Sequence, residues 1–184
     1  FNDTHMQNNR SKAGNRMIFR RKRDKMVTEK NMVYTPVEGE VISLEQIGDG
    51  VFSAGMLGKG CGIRPEAEKI YAPFDGKIIT VADTKHAIGL ESDAGIEILI
   101  HVGIDTVEMN GKGFEPLVKE GQSVKAGEPL LNFSKKKIQE AGYDTVISVI
   151  VTNSDDYSDV KIISINEKKV GEPLLQVATF SDLV

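Results

Sequence analysis

A closed or sandwiched all-β structure, with duplicated hairpin units and at most short helical segments, is the fold class predicted by three features of this 184-residue chain. Glycine occupies 18 positions, and from Val33 onward short β-prone runs are broken by Gly, Pro, Asp and Asn. That texture favours many short strands joined by tight turns over long helices. Two internal echoes point to duplicated hairpins: TPVEGEVIS (35–43) repeats as APFDGKIIT (72–80), and VKAGEPLLNF (124–133) repeats as KKVGEPLLQV (168–177). Two copies are too few for a solenoid, so a closed or sandwiched body with internal pseudo-symmetry is the simpler solution. The third feature is strand alternation in GIEILIHVGIDTV (95–107), which puts Ile96, Ile98, Ile100, Val102 and Ile104 on one apolar face.

Taken in order, residues 1–30 read as a basic extension and residues 31–184 as the folded domain. The extension lacks sustained periodicity and carries the run RRKRDK at 20–25. Such a segment is a solvated tail by composition. Its one functional use would be weak peripheral contact with an anionic membrane, at about 1 kcal/mol per basic residue. One short helix is expected at Ser134–Ala141, ended by Gly142. Three consecutive lysines in its first turn oppose the helix dipole, so its stability must come from packing of Ile138.

Composition narrows the function classes. Residues 1–25 hold eight Lys or Arg against Asp3 and Asp24, a net +6, which leaves 15 basic and 25 acidic residues, a net −10, on the rest. An acidic body argues against nucleic acid, which calls for a basic face, and favours a protein partner with basic side chains. The single cysteine, Cys61, excludes an internal disulfide and fits a reducing, cytoplasmic setting. The longest apolar runs, such as VISVIV at 146–151, fall far short of the roughly 20 residues a membrane helix needs. No signal peptide is expected from the polar, basic first 25 residues.

His101 stands out within the alternating segment because it must point away from the aliphatic face, together with Glu97, Leu99, Gly103 and Asp105. His86, 15 residues upstream, is the only other histidine outside the tail. An antiparallel pair joined through the turn ESDAG would set the two side by side. Neutral imidazole is nucleophilic near pH 7, and a second imidazole can donate a hydrogen bond to the oxygens of an incoming phosphoryl group.

From Met32 to Phe180 the sequence resembles the glucose-type enzyme IIA family of the phosphoenolpyruvate-dependent sugar phosphotransferase system. The resemblance rests on YAPFDGKI (71–78), TKHAIGLES (84–92), LIHVGIDTVEMNGKGFE (99–115), VKEGQSVKAGEPLL (118–131) and VTNSDD (151–156). It implies an antiparallel β-sandwich or barrel with duplicated hairpins. It also implies that His101 accepts a phosphoryl group on Nε2 from the histidine-containing phosphocarrier protein and passes it to a cysteine of an enzyme IIB domain. His86 matches the supporting histidine, and Thr84 the residue that orients its ring by hydrogen bonding. Asp49 and Asp105 match acidic positions flanking the site, where negative potential suits docking of basic partner residues. Val51 and Phe52 match an apolar rim that excludes water and meets the partner. The sequence departs from the family at Gly50, where a proline usually follows the acid, and at VISVIV, where a Thr-Pro pair is common. No cofactor or metal is implied. Cys61 lacks the basic loop expected after a IIB cysteine, so a lone IIA unit is expected.

Two rival classes share parts of this pattern. Zinc hydrolases with related hairpins need three protein ligands, whereas residue 99 is Leu and residue 103 is Gly, leaving two histidines. A swinging-arm carrier is suggested by EGQSVKAGEPL, but no turn presents the lysine such a carrier modifies.

Overall fold

The structure, a computed structural model, describes residues 26–183. The basic run at 20–25, and the membrane contact expected of it, lie outside the described residues. In chain order the strands are β1 (Met32–Tyr34), β2 (Gly39–Ser43), β3 (Lys59–Pro65), β4 (Lys69–Tyr71), β5 (Gly76–Val81), β6 (Ala87–Ser92), β7 (Glu97–Val102), β8 (Phe114–Pro116), β9 (Ser123–Val124), β10 (Pro129–Phe133), β11 (Ile147–Val151), β12 (Asp159–Ile162), β13 (Glu167–Lys168) and β14 (Pro173–Ala178). The helix α1 (Lys135–Glu140) lies between β10 and β11. All strand pairs among the described residues are antiparallel.

The sequence echoes become a near-palindromic sheet. Eight strands run in the order β13-β2-β3-β11-β7-β6-β5-β9, and two three-stranded sheets, β1-β14-β12 and β4-β10-β8, pack with it. β2 is flanked by β13 and β3 as β5 is flanked by β9 and β6. In the first half Gly39 pairs with Lys168, and in the second Gly76 pairs with Val124. The two glycines share a steric reason: a Cβ on Gly39 would lie 2.1 Å from the Arg64 carbonyl oxygen, and one on Gly76 would lie 2.1 Å from that of Glu91. The echo therefore preserves two places where backbones approach too closely for any side chain.

Apolar residues cover both faces of the middle of this sheet. On one face Val41, Cys61, Ile63, Ile98, Ile100, Val102, Ile147, Val149 and Val151 join the main core. The other face carries a smaller cluster of Ile42, Ile47, Phe52, Val146 and Ile150, with Leu44, Leu99 and Ile104 against it. Ile104 departs from the strand-alternation expectation, which put it in the main core. Gly103 takes φ +82, which ends β7 at Val102 and turns the chain, so the parity of the next residue is lost.

The expected helix forms. Ser134 caps it, its hydroxyl accepting the Lys137 N–H at 3.2 Å, and Gly142 follows at φ +87. Ile138 is fully buried, so packing holds the helix in spite of its lysines. Cys61 is buried in β3, and burial pushes its thiol up to about 12, so it holds no thiolate at neutral pH. No helix among the described residues is long and apolar enough to cross a membrane.

Candidate functional site

The second apolar cluster is the floor on which the histidines meet. His101 projects from β7 on that face, half-buried, while its cross-strand neighbours are Ala87 of β6 and Ser148 of β11. Ala87 offers only a methyl group beside the ring. His86 immediately precedes β6, and its carbonyl accepts the Val102 N–H at 2.8 Å. In a regular ladder it would therefore share the core face with Val102. Lys85 instead adopts φ +65 in a turn closed by the Ala82 N–H on the Ala87 carbonyl, which frees His86 from the pleat. Its ring packs edge-on against His101, with centroids 4.7 Å apart and planes at 84°. The two histidines are thus neighbours, as expected, at the end of the antiparallel β6–β7 pair, with His101 in the strand and His86 the turn residue that adjoins its partner strand.

Each ring is oriented through its Nδ1 atom. Thr84 Oγ1 lies 2.8 Å from His86 Nδ1, the contact expected of Thr84. His101 Nδ1 lies 2.8 Å from the Gly103 carbonyl oxygen. A carbonyl only accepts, so Nδ1 of His101 carries the proton and Nε2 keeps the lone pair. Gly103 can serve here because it bears no side chain: a Cβ at this φ would lie 2.3 Å from Thr106 Cγ2.

The electrostatics keep His101 neutral. Burial, and then the neighbouring His86, push its imidazole down to about 4, against smaller upward pulls from the Gly103 contact, Asp49 and Asp105. Burial also lowers His86, with a backbone hydrogen bond to Thr84 acting the other way. Asp49 is held by its own loop: Oδ1 accepts the N–H groups of Val51 and Ser53, each at 3.1 Å. Gly50 in that loop sits at φ +80, a conformation closed to proline, so the departure noted in sequence corresponds to a differently turned loop. Asp105 is exposed at φ +59, and its side chain makes no capping hydrogen bond to the turn it begins.

The two rim residues separate. Phe52 is 7% exposed and tilts over His101 with ring centroids 4.9 Å apart. Val51 is 48% exposed and faces solvent. Three neighbours escaped the sequence reading: the Gly103 carbonyl, Phe114, whose ring lies 6.3 Å from His86, and Ser148. A polar residue inside the run VISVIV was the one signal that pointed to the last. No group of three or more His, Cys, Asp or Glu among the described residues is placed to hold a metal, and the hydrolase reading finds no support.

Comparison with known proteins agrees with this geometry. Residues 31–157 match the family described as phosphoenolpyruvate-dependent sugar phosphotransferase system, EIIA 1. The β-glucoside-specific EIIBCA component of Bacillus subtilis is 44% identical over 149 residues, which cover 81% of this chain and 24% of that protein. The chain thus spans about a quarter of that multidomain relative. A glucose-specific EIIA component of Staphylococcus epidermidis is 39% identical over 145 residues, 78% of this chain and 87% of that protein. The structure of glucose permease IIA from Mycoplasma capricolum superposes with a TM-score of 0.69 at 34% identity, covering 78% of this chain and 93% of that one. With most of its length matched by the family and by full-length relatives of similar size, the chain belongs to the EIIA type 1 family of the sugar phosphotransferase system.

Proposed function

We propose that His101 carries the phosphoryl group, receiving it on Nε2 from the histidine-containing phosphocarrier protein and passing it to the cysteine of an enzyme IIB domain. The observation that supports this reading is the Nδ1 bond of His101 to the Gly103 carbonyl, which leaves Nε2 as its nucleophilic atom. In the inward step the Nε2 lone pair attacks phosphorus and the N–P bond of the phosphocarrier breaks, its imidazole departing with the electron pair. Nδ1 keeps its proton throughout, so the phosphorylated ring is a cation. In the outward step the IIB thiolate attacks and His101 leaves as neutral imidazole. The low pKa of His101 serves the first step, because a protonated Nε2 has no lone pair to offer.

His86 acts on the phosphoryl group without carrying it. Thr84 Oγ1 holds the ring through Nδ1, and in the tautomer that keeps the ring proton on Nε2, His86 is a donor for equatorial oxygens that accumulate charge in the transition state. Asp49 and Asp105, with the acidic body, suit partners that present basic side chains, and exposed Val51 beside Phe52 supplies an apolar contact. The functional unit is residues 31–184, since β14 pairs with β1 and ties the segment after 157 into the same body. Its place is the cytoplasm. Incubation with phosphoenolpyruvate, enzyme I and the phosphocarrier, followed by mass spectrometry under non-acidic conditions, should add one acid-labile phosphoryl group. His101→Ala should abolish it, and uptake by that variant to the wild-type extent would refute the assignment.

A further inference from the structure

Ser148 is the one described residue whose buried side-chain polar atom has no hydrogen-bond partner. It is 0% exposed and is the direct cross-strand partner of His101, on the same face of the sheet. Its neighbours along that face of the strand, Val146 and Ile150, are apolar members of the second cluster. Across the next strand it pairs with Gly62, which has no side chain to offer. A buried hydroxyl left unpaired costs about 1–3 kcal/mol, so such a group calls for a use.

We propose that Ser148 is a second donor to the phosphoryl group on His101, its hydroxyl acquiring a hydrogen-bond partner only when the carrier is loaded. This rests on the carrier reading of His101. β7 lies between β6 and β11 in the sheet, so His101 has His86 on one flank and Ser148 on the other. Cross-strand partners on one face keep their Cβ atoms about 4.5–5.5 Å apart, within reach of an equatorial oxygen bonded through phosphorus to the ring. In the resting state the ring's Nδ1 proton goes to Gly103, and the Ser148 hydroxyl is unspent. On loading, that hydroxyl donates to a phosphoryl oxygen, where a charge-assisted bond is stronger than a neutral one. Ser148 thereby favours the loaded form over the empty one, and it sets how readily the group is held against return to the phosphocarrier.

The test compares wild type with Ser148→Ala in two measurements. The first is the equilibrium distribution of phosphate between this protein and the phosphocarrier, read by mass spectrometry and by the phosphohistidine 31P resonance. The second is the thermal midpoint of the unphosphorylated form. Loss of the hydroxyl should move the phosphoryl equilibrium toward the phosphocarrier by roughly tenfold or more, as expected for a hydrogen bond to a charged group. The 31P resonance should shift, and the unphosphorylated midpoint should stay level or rise, because no resting bond is lost. If wild type and Ser148→Ala load equally, with the same 31P shift, Ser148 has no part in holding the group, while the carrier assignment stands. A marked fall in the unphosphorylated midpoint would also overturn the proposal, by revealing a resting partner for the hydroxyl. Failure of wild type to load at all would overturn the carrier assignment and this proposal with it.

Discussion

At the scale of single residues, the proposed mechanism has the two histidines serve different stages of transfer, and this sets their mutational signatures. Loss of one preorganised donor costs on the order of 10² to 10³ in rate. His86→Ala should still load at His101, because the phosphocarrier brings its own stabilising groups. It should donate to a cognate IIB domain slower by about that factor, and rapid-quench measurement of both half-reactions would show the asymmetry; unimpaired donation would remove His86 from the mechanism. The depressed pKa of His101 predicts a pH signature as well. The unfolded ring titrates near 6.5 and the folded ring near 4, so between these values the unfolded state binds the extra proton. The stabilisation is complete above about 6.5 and is lost as pH falls through 4. The thermal midpoint of wild type should therefore drop more steeply over this window than that of His101→Gln, measured side by side; parallel curves would contradict the buried, neutral ring. The meeting of His101 with His86 and the contact of Thr84 with the His86 ring were legible in the sequence. The Gly103 carbonyl was not, because a backbone acceptor leaves no mark in residue type.

Among the elements, the clearest readings were those in which sequence pattern and steric demand coincide. The repeated glycines at the starts of β2 and β5 are one such case. Gly39→Ala and Gly76→Ala should each destabilise the fold by about 2–3 kcal/mol, since the added methyl would meet a partner-strand carbonyl. Gly89→Ala, inside β6 with its nearest contact at an ordinary 3.4 Å, should cost clearly less. Denaturant midpoints of the three variants check the ranking. β11 shows where pattern fails: each of its five residues is buried, so alternation cannot tell its faces apart, and the position of Ser148 beside His101 emerges only from strand register. The parity of Ile104 failed for a related reason, since period-two reading has no means to foresee a left-handed glycine. His86 was placed beside His101 correctly, but the turn that delivers it depends on Lys85 at positive φ, which lysine does not advertise.

On the scale of the whole molecule, the first strand of the described body, β1, begins at Met32 and is paired along its length with β14. Deleting residues 1–25 should leave both the thermal midpoint and the loading rate with soluble partners nearly unchanged. A large fall in loading rate on deletion would instead assign those residues to partner docking. The body also ends in a particular way. Both margins of the eight-stranded sheet are strands of only two residues, Glu167–Lys168 on one side and Ser123–Val124 on the other. A growing fibril recruits monomers by extending a long, unpaired backbone ladder, and margins this brief offer almost none. The folded body can thus be held at high concentration while these margins present little ladder for templating aggregation.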